Sequence, residues 1–122
     1  MIYAAGPVVP QVHLSNILPE TFSEHLNSEV NAFFGAVIPA LPFIREQNGA
    51  IIAVTSAATD KYPIKDGLSA SPKAAIEILI KGLAKEEGRY GVRANAVGPG
   101  MLMEGMAAVS YTHLTLPTTP YV

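Results

Sequence analysis

An almost continuous apolar run, residues 50–55 (AIIAVT), lies between two stretches that are long enough to form helices. The turn residues Asn48 and Gly49 precede this run, and a loop-like segment containing Pro63 and Gly67 follows it. A strand that is apolar at successive positions is typical of a parallel sheet with both faces covered. We therefore expect residues 50–55 to form the central strand of an α/β sheet.

Two further apolar segments fit the same sheet. Residues 1–5 (MIYAA) precede a Gly-Pro pair, and residues 92–97 (VRANAV) precede the turn Gly98-Pro99-Gly100. Each connection between strands has room for a helix, which favours parallel pairing. The sequence predicts a partial Rossmann-like, doubly wound α/β sheet, with three parallel strands and two long crossover helices (β-α-β-α-β). Right-handed crossovers would place both helices on one face, so further elements should cover the other face.

The first connecting helix is expected to begin at Pro19 and Glu20. A proline there lacks only an amide that would be unpaired anyway, and the acid complements the helix dipole. Pro39 and Pro42 each remove an internal hydrogen bond, so the helix should kink or end early within residues 36–46. Its apolar stripe consists of Phe22, Leu26, Val30, Phe33, Val37 and Leu41.

The second connecting helix has apolar residues at the i, i+3, i+4 and i+7 spacing of a buried face. These residues are Ile76, Leu79, Ile80 and Leu83. Glu77 and Lys81 are expected to form an exposed ion pair at i,i+4 spacing. Pro72 indicates that the helix starts late, with Ser69 or Ser71 as its N-cap.

Composition excludes several functional classes. A chain of 122 residues fits one small domain, and its net charge of -2 lacks the basic excess of nucleic-acid-binding proteins. It has no cysteine, which excludes disulfides and thiolate metal sites, and His13 and His25 lack partners at metal-ligand spacing. No apolar run approaches the roughly 20 residues that cross a bilayer, and no signal peptide is recognisable. We expect a soluble cytoplasmic protein without nucleic-acid, membrane or metal partners.

Five short motifs follow one another in an order known from one family. They are Tyr3-Ala4-Ala5-Gly6, Asn31, Ser56, Lys73, and Arg93-Ala94-Asn95 with Pro99-Gly100. In this order and spacing they resemble the second half of the short-chain dehydrogenase/reductases. The resemblance covers roughly residues 1–105. It implies a Rossmann sheet that binds NAD or NADP and acts on a small carbonyl or alcohol substrate.

The resemblance also implies roles for individual residues. Ser56 would orient the substrate oxygen, Asn31 would hold a water on the proton path, and Lys73 would bind ribose and lower the pKa of a tyrosine. Contacts to the nicotinamide end of the cofactor would come from Gly6, Lys73, Pro99, Gly100, Met101 and Leu102. Plain structural explanations stay open: a loop cap for Ser56, a solvated side chain for Lys73, a backbone-bonding amide for Asn31 and a strand terminator for Pro99-Gly100.

One family motif departs from its pattern. The catalytic tyrosine is expected four residues before Lys73 and about thirteen after Ser56, and both spacings lead to Ser69. A serine hydroxyl is a weaker acid than a phenol and is too short to reach the same point. Tyr62, in the preceding loop, is the alternative source of a phenol.

The glycine-rich turn that binds a cofactor pyrophosphate has no counterpart in the sequence. The leading hypothesis is therefore the C-terminal half of an NAD(P)-dependent short-chain oxidoreductase, inactive as this chain. The alternative is a non-catalytic binding or oligomerisation module, because Ser69 replaces the tyrosine. By the resemblance, the two long helices would also form a homo-oligomer interface.

The last residues break with the preceding pattern. Residues 109–122 (VSYTHLTLPTTPYV) are rich in threonine and proline, and the first eleven resemble a translated adapter used in preparing DNA for sequencing. We expect residues 1–108 to form the partial NAD(P)-binding domain and residues 109–122 to be a non-native tail. Tyr111 and His113 are given no role. A truncated translation product with no cellular existence is a third possibility.

Overall fold

The computed structural model describes residues 1–100 of the chain. Its sheet contains β1 (Ile2–Tyr3), β2 (Ala50–Val54) and β3 (Arg93–Val97), which are parallel and lie in the order β1-β2-β3. Helix α1 (Pro19–Glu46) connects the first two strands, and α2 (Gly67–Glu87) connects the last two. The predicted β-α-β-α-β architecture is confirmed. In this part of the chain no helix combines the length and hydropathy needed for a membrane span.

The two faces of the sheet have different surroundings. Ile51 and Ala53 of β2 are fully buried, whereas Ile52 between them is only half-buried. Ile2 is in register with Ile52 and is 73% exposed. Because alternate residues of a strand point to opposite faces, the face that contains Ile51 and Ala53 is covered and the face that contains Ile2 is open.

The hydrophobic core lies between the covered face and the two helices. One contiguous cluster includes inward residues of the sheet together with Phe33, Val37, Leu41, Ile76 and Ile80 from the helices. Tyr3 of β1 meets Phe33 edge to face, with the ring centroids 5.1 Å apart. Both helices therefore pack on the same face of the sheet and contact each other.

Helix α1 is continuous, although it contains two prolines. Pro39 and Pro42 lie inside it, and the helix begins at the predicted Pro19 and runs to Glu46. The prediction of an early end is wrong. The carbonyls that lose their amide partners belong to residues 35 and 38, which are exposed, so water can satisfy them at little cost.

Helix α2 begins earlier than predicted. It starts at Gly67, and Pro72 lies inside it. The amide of Ser69 donates to the carbonyl of Asp66 at 3.1 Å, which closes the first turn before the proline is reached. The predicted N-cap at Ser69 or Ser71 is therefore wrong: a single missing amide in the second turn does not prevent the first turn from forming.

The carboxyl ends of the two helices are joined by an ion pair. The Arg45 guanidinium donates two hydrogen bonds to the Glu87 carboxylate, at 2.6 and 2.9 Å, and lies 4.2 Å from the ring centre of Tyr90. These hydrogen bonds lower the pKa of Glu87. After α2 the chain makes a short 3-10 turn and reverses at Gly91, whose φ of 80° is in the left-handed region.

Candidate active site

Three of the candidate residues follow the carboxyl ends of the three strands. Gly6 comes shortly after β1, Ser56 after β2 and Pro99 after β3. In open parallel sheets, ligands bind in the crevice outside these strand ends. The topology therefore brings the separated motifs to the edge of the sheet at which such sites form.

The loops that follow β2 and β3 are packed together. The amide of Ala57 donates to the carbonyl of Pro99 at 3.1 Å. A Cβ atom added at Gly98 would lie 3.3 Å from the carbonyl group of Ser56, so the two loops are in close contact there. Ser56 and the Gly98-Pro99 turn therefore form one surface at the end of the sheet.

The Ser56 hydroxyl caps the short turn that follows it. Its Oγ accepts a hydrogen bond from the amide of Ala58 at 3.0 Å. This contact occupies a lone pair and not the hydroxyl proton, so the group can still donate to a ligand. The structural role is confirmed, and the role towards a substrate oxygen stays a prediction.

Glu77 holds the loop around Ser56 from α2. Its Oε2 accepts hydrogen bonds from the hydroxyls of Thr55, at 2.7 Å, and Thr59, at 2.9 Å. Because Glu77 is half-buried against these two hydroxyls, the prediction of an exposed pair with Lys81 is wrong. The spacing of Glu77 and Lys81 along the helix could not indicate that the hydroxyls of Thr55 and Thr59 would bind this carboxylate.

Lys73 reaches from α2 to the end of β1. Its Nζ lies 2.5 Å from Oε1 of Glu29 and donates to the carbonyl of Ala5 at 3.2 Å. A Cβ atom at Gly6 would lie 3.2 Å from the same Nζ. The side chain of Lys73 is therefore fixed by Glu29 and Ala5 and is only 13% exposed, so it is not a solvated helix lysine.

The α1 side chain that contacts Lys73 is Glu29, whereas the α1 residue to which the resemblance gave a role, holding a water, is Asn31. Asn31 is exposed. Two side chains that are two residues apart on an α-helix are rotated by about 200° about its axis, so Glu29 and Asn31 point to opposite sides. The structure does not bring Asn31 to the site. The signal that could have indicated Glu29 is an acid four residues before Phe33, on the buried side of the helix.

Ser69 and Tyr62 occupy different sides of the start of α2. Ser69 is half-buried and lies one turn before Lys73, so both belong to the same side of the helix. The Tyr62 phenol oxygen lies 3.2 Å from the Cβ position of Gly67, about 200° around the helix from residue 69. The structure therefore does not bring the Tyr62 phenol beside Ser69.

A second buried acid lies just before α2. Asp66 is buried, and a hydrogen bond joins its carboxyl group to Gln11 in the segment before α1. Burial raises the pKa of Asp66 to about 6, and the hydrogen bond with Gln11 opposes part of this rise. Sequence reasoning did not identify this pair, because no local pattern connects residue 11 with residue 66.

The remaining predicted cofactor contacts lie at the limit of the described residues. Pro99 and Gly100 are both half-buried after β3. Met101 and Leu102, like the expected tail at residues 109–122, lie outside the described residues. The structure therefore brings together Gly6, Ser56, Lys73 and Pro99-Gly100 at one edge of the sheet.

Three parallel strands with a lysine and a serine at their carboxyl edge define a Rossmann-like α/β protein. A family model described as enoyl-(acyl carrier protein) reductase matches residues 1–114. The chain belongs to the short-chain dehydrogenase/reductase family, in agreement with the resemblance of its motifs.

Two curated relatives illustrate the similarity. The chain is 37% identical to a 3alpha-hydroxysteroid dehydrogenase of Mediterraneibacter gnavus, over 76% of this chain and 38% of that protein. It is 30% identical to an acetoacetyl-CoA reductase of Synechocystis, over 70% of this chain and 36% of that protein. The chain therefore spans well under half the length of the curated relatives it matches.

A solved structure gives the same relationship. A short-chain dehydrogenase/reductase family oxidoreductase from Burkholderia thailandensis is 26% identical and superposes with a TM-score of 0.76. The match covers 92% of this chain and 43% of that one. The described sheet and helices thus correspond to a part of a larger Rossmann domain.

Proposed function

We propose that residues 1–108 are the C-terminal half of the catalytic domain of an NAD(P)-dependent short-chain oxidoreductase. The reaction is hydride transfer between a nicotinamide and a small carbonyl compound or secondary alcohol. The observation that carries this proposal is the position of Lys73, whose ammonium crosses from α2 to the end of β1, at the ligand-binding edge of the sheet. Ser56 and Pro99 lie at the same edge.

The residues present fit the nicotinamide end of such a cofactor. An ammonium has three N–H donors, and Lys73 donates one hydrogen bond, to the carbonyl of Ala5, while its charge is paired with Glu29, so N–H donors remain for a ribose hydroxyl. The cofactor supplies the hydride, and the protein supplies position and proton exchange. Ser56 donates a hydrogen bond from its hydroxyl to the substrate oxygen, which polarises the carbonyl group.

This chain by itself is expected not to transfer hydride. It has no glycine-rich turn for the pyrophosphate, and Ser69 stands where the family has its tyrosine. We would titrate the purified chain into NADH and NADPH and follow nicotinamide fluorescence. Binding with micromolar affinity, or any turnover of a ketone panel, would contradict this expectation.

The decisive experiment uses the whole protein that contains this chain, with a panel of ketones and secondary alcohols. If it is an oxidoreductase, Ser56→Ala should lower kcat/KM by about 100-fold, as expected when a hydrogen bond to the reacting oxygen is lost. Tyr62→Phe should change kcat/KM less than twofold, since its phenol lies on another side of α2. Equal activity of Ser56→Ala and wild type would refute the role of Ser56.

A second candidate function is a non-catalytic module that keeps the fold for binding or assembly. Ser69 is the observation that favours it, because a serine cannot take over the proton chemistry of a phenol. Absence of turnover with every substrate and with either cofactor would support the module. A gain of turnover in Ser69→Tyr would indicate that the rest of the site is intact.

The proposed partners follow from the same assignment. The substrate is a small molecule, the compartment is the cytoplasm, and the assembly is a homo-oligomer through the two long helices. Three apolar side chains on the outer surfaces of these helices support the last point, because they are substantially exposed: Phe34 and Ile38 on α1, and Ile78 on α2.

A further inference from the structure

Glu29 is an acid buried on the inner side of α1. The residue is 5% exposed and its side chain 4% exposed. A carboxylate in such a place is strongly unfavourable unless it has a cationic partner. That partner is Lys73 of α2, and its Nζ lies 2.5 Å from Oε1 of Glu29. The two residues belong to different helices, since α1 follows β1 and α2 follows β2.

The pair lies at the end of β1 and not in the middle of the core. A Cβ atom at Gly6 would lie 3.2 Å from Nζ of Lys73 and 3.6 Å from Oε1 of Glu29. Tyr3, the last residue of β1, also packs near Glu29, and its phenol donates a long hydrogen bond of 3.5 Å to the Glu29 carbonyl. The Glu29 carboxylate therefore lies beside the carboxyl end of β1.

The contacts of Lys73 restrict its ammonium in three dimensions. Its Nζ is ion-paired with Oε1 of Glu29 and donates a hydrogen bond to the carbonyl of Ala5 at 3.2 Å. A long, flexible lysine side chain is ordinarily free to sample many rotamers. The acid on one side and the backbone carbonyl on the other hold the ammonium group at one position beside the end of β1.

We propose that Glu29 is a positioning residue for Lys73. It holds the ammonium at the carboxyl end of β1, so that one N–H is presented to the ribose diol of a nicotinamide cofactor. This inference rests on the proposed function and adds to it. On this helix the family resemblance implied an uncharged asparagine that holds a water, whereas here a carboxylate contacts the lysine directly.

The first test uses the purified chain and needs no cofactor. Lysine ammonium signals are recorded by NMR on protein with isotope-labelled lysine. A buried, ion-paired ammonium exchanges its protons slowly, so we expect a Lys73 signal near neutral pH, assigned through its loss in Lys73→Met. Glu29→Gln should remove or broaden this signal, and Glu24→Gln, at an exposed position of the same helix, should retain it. A signal unchanged by Glu29→Gln would overturn the proposal.

A second pair of variants keeps this test decisive if Glu29→Gln fails to fold. Glu29→Asp retains the charge on a shorter side chain and should retain a weakened Lys73 signal. The double variant Glu29→Gln with Lys73→Met removes both charges and should be more stable than Glu29→Gln alone, because no buried charge is then unpaired. If the effects of Glu29→Gln and Lys73→Met on the free energy of unfolding were additive, the proposed interaction between Glu29 and Lys73 would be refuted.

The second test uses the whole protein and steady-state kinetics. Glu29→Gln should raise KM for the nicotinamide cofactor about tenfold, the effect of losing one charge-assisted hydrogen bond, and change kcat less. Glu29→Asp should recover part of this affinity, and Glu24→Gln should equal the wild type. A cofactor KM within twofold of wild type in Glu29→Gln would overturn the positioning role while turnover upholds the proposed function. No turnover by the wild type with either cofactor would refute both.

Discussion

Four buried or half-buried carboxyl groups in the described residues each have a partner of a different chemical kind. An ammonium, a pair of hydroxyls, a guanidinium and a side-chain amide serve four acids, which are Glu29, Glu77, Glu87 and Asp66. Each partner comes from a different secondary-structure element or loop. Because a buried acid without a partner is costly, each of these contacts holds together two segments that are distant in the sequence.

The pH dependence of stability should reveal the titration of Asp66. The folded-state pKa of about 6 lies above the ordinary value of 3.8. The contribution of Asp66 to stability is therefore fully present below pH 3.8 and is lost as the pH rises through 6. We expect Asp66→Asn to remove this loss, so that its free energy of unfolding falls less than that of wild type across this range.

The measurement is urea denaturation of wild type and Asp66→Asn at several pH values. The difference between the two curves isolates residue 66 from the other titrating groups. Glu24→Gln, at an exposed position of α1, serves as the control and should follow the wild type. A constant difference between Asp66→Asn and wild type over the whole range would show that burial does not shift this carboxyl group.

Two glycines should respond to alanine with opposite signs. Gly91 has a φ of 80°, and a Cβ atom there would lie 2.5 Å from Oδ1 of Asn48. Gly91→Ala should lower the free energy of unfolding by about 1–2 kcal/mol. Gly82 lies within α2, where the nearest atom is 4.0 Å from the added Cβ, so Gly82→Ala should raise it by about 0.5–1 kcal/mol. Urea denaturation measures the free energy of unfolding of both variants. If both substitutions changed it in the same direction, the prediction would be contradicted.

At the scale of elements, α1 contacts both β1 and α2. Its buried residues Glu29, Phe33, Val37 and Leu41 recur every four positions. A spacing of four residues advances about 40° per step around a helix, so the buried stripe winds slowly as the helix passes over the sheet. The middle of α1 contacts β1 through Phe33 and Tyr3, and its carboxyl end contacts α2 through Arg45.

Adjacent phenylalanines on α1 provide a test of this packing. Phe33 is fully buried, whereas Phe34 is 50% exposed. Phe33→Ala should cost about 3–5 kcal/mol, because it removes transfer free energy and leaves a cavity. Phe34→Ala should stay within about 0.5 kcal/mol of wild type in the isolated chain. Denaturant titration of both variants checks the difference, and equal losses would show that α1 is rotated from the described orientation.

At the scale of the whole molecule, two apolar surfaces have no cover within the described residues. One is the open face of the sheet, where Ile2 is 73% exposed and Val97 is 37% exposed. Parallel sheets occur almost only with both faces covered. The other surface consists of the exposed apolar residues on the helices. In our proposal the rest of a Rossmann domain covers the first surface, and a second copy of the protein covers the second.

Substitutions on the outer helix surfaces should weaken assembly of the whole protein. Phe34→Ser and Ile78→Ser remove large apolar groups that are 50% and 63% exposed. We expect each to raise the dissociation constant of the oligomer at least tenfold, by the loss of a central apolar contact. Sedimentation velocity over a concentration series measures this. Lys85→Ser, at an exposed polar position of α2, should leave assembly unchanged; equal behaviour of all three variants would refute the proposed interface.

Local patterns in the sequence were sufficient for most of the fold. The apolar run of β2, the start of α1 at Pro19 and the core positions Ile76 and Ile80 were all predicted, because each depends on residues a few positions apart. The two wrong helix boundaries have a shared cause. Proline rules describe one missing hydrogen bond, and the packing of a whole helix outweighs that loss.

The sequence by itself determined the parallel β-α-β-α-β order, the family and the positions of Ser56 and Lys73, since hydrophobic period and motif spacing are local properties. Only the tertiary structure decided that Glu29 contacts Lys73, that Asn31 lies on the exposed side of α1, that Glu77 holds the loop of Ser56, and that the Tyr62 phenol lies away from Ser69. The physical reason is that the partner of a polar side chain depends on which distant segments the sheet brings to one edge. Periodicity along a single helix contains no such information.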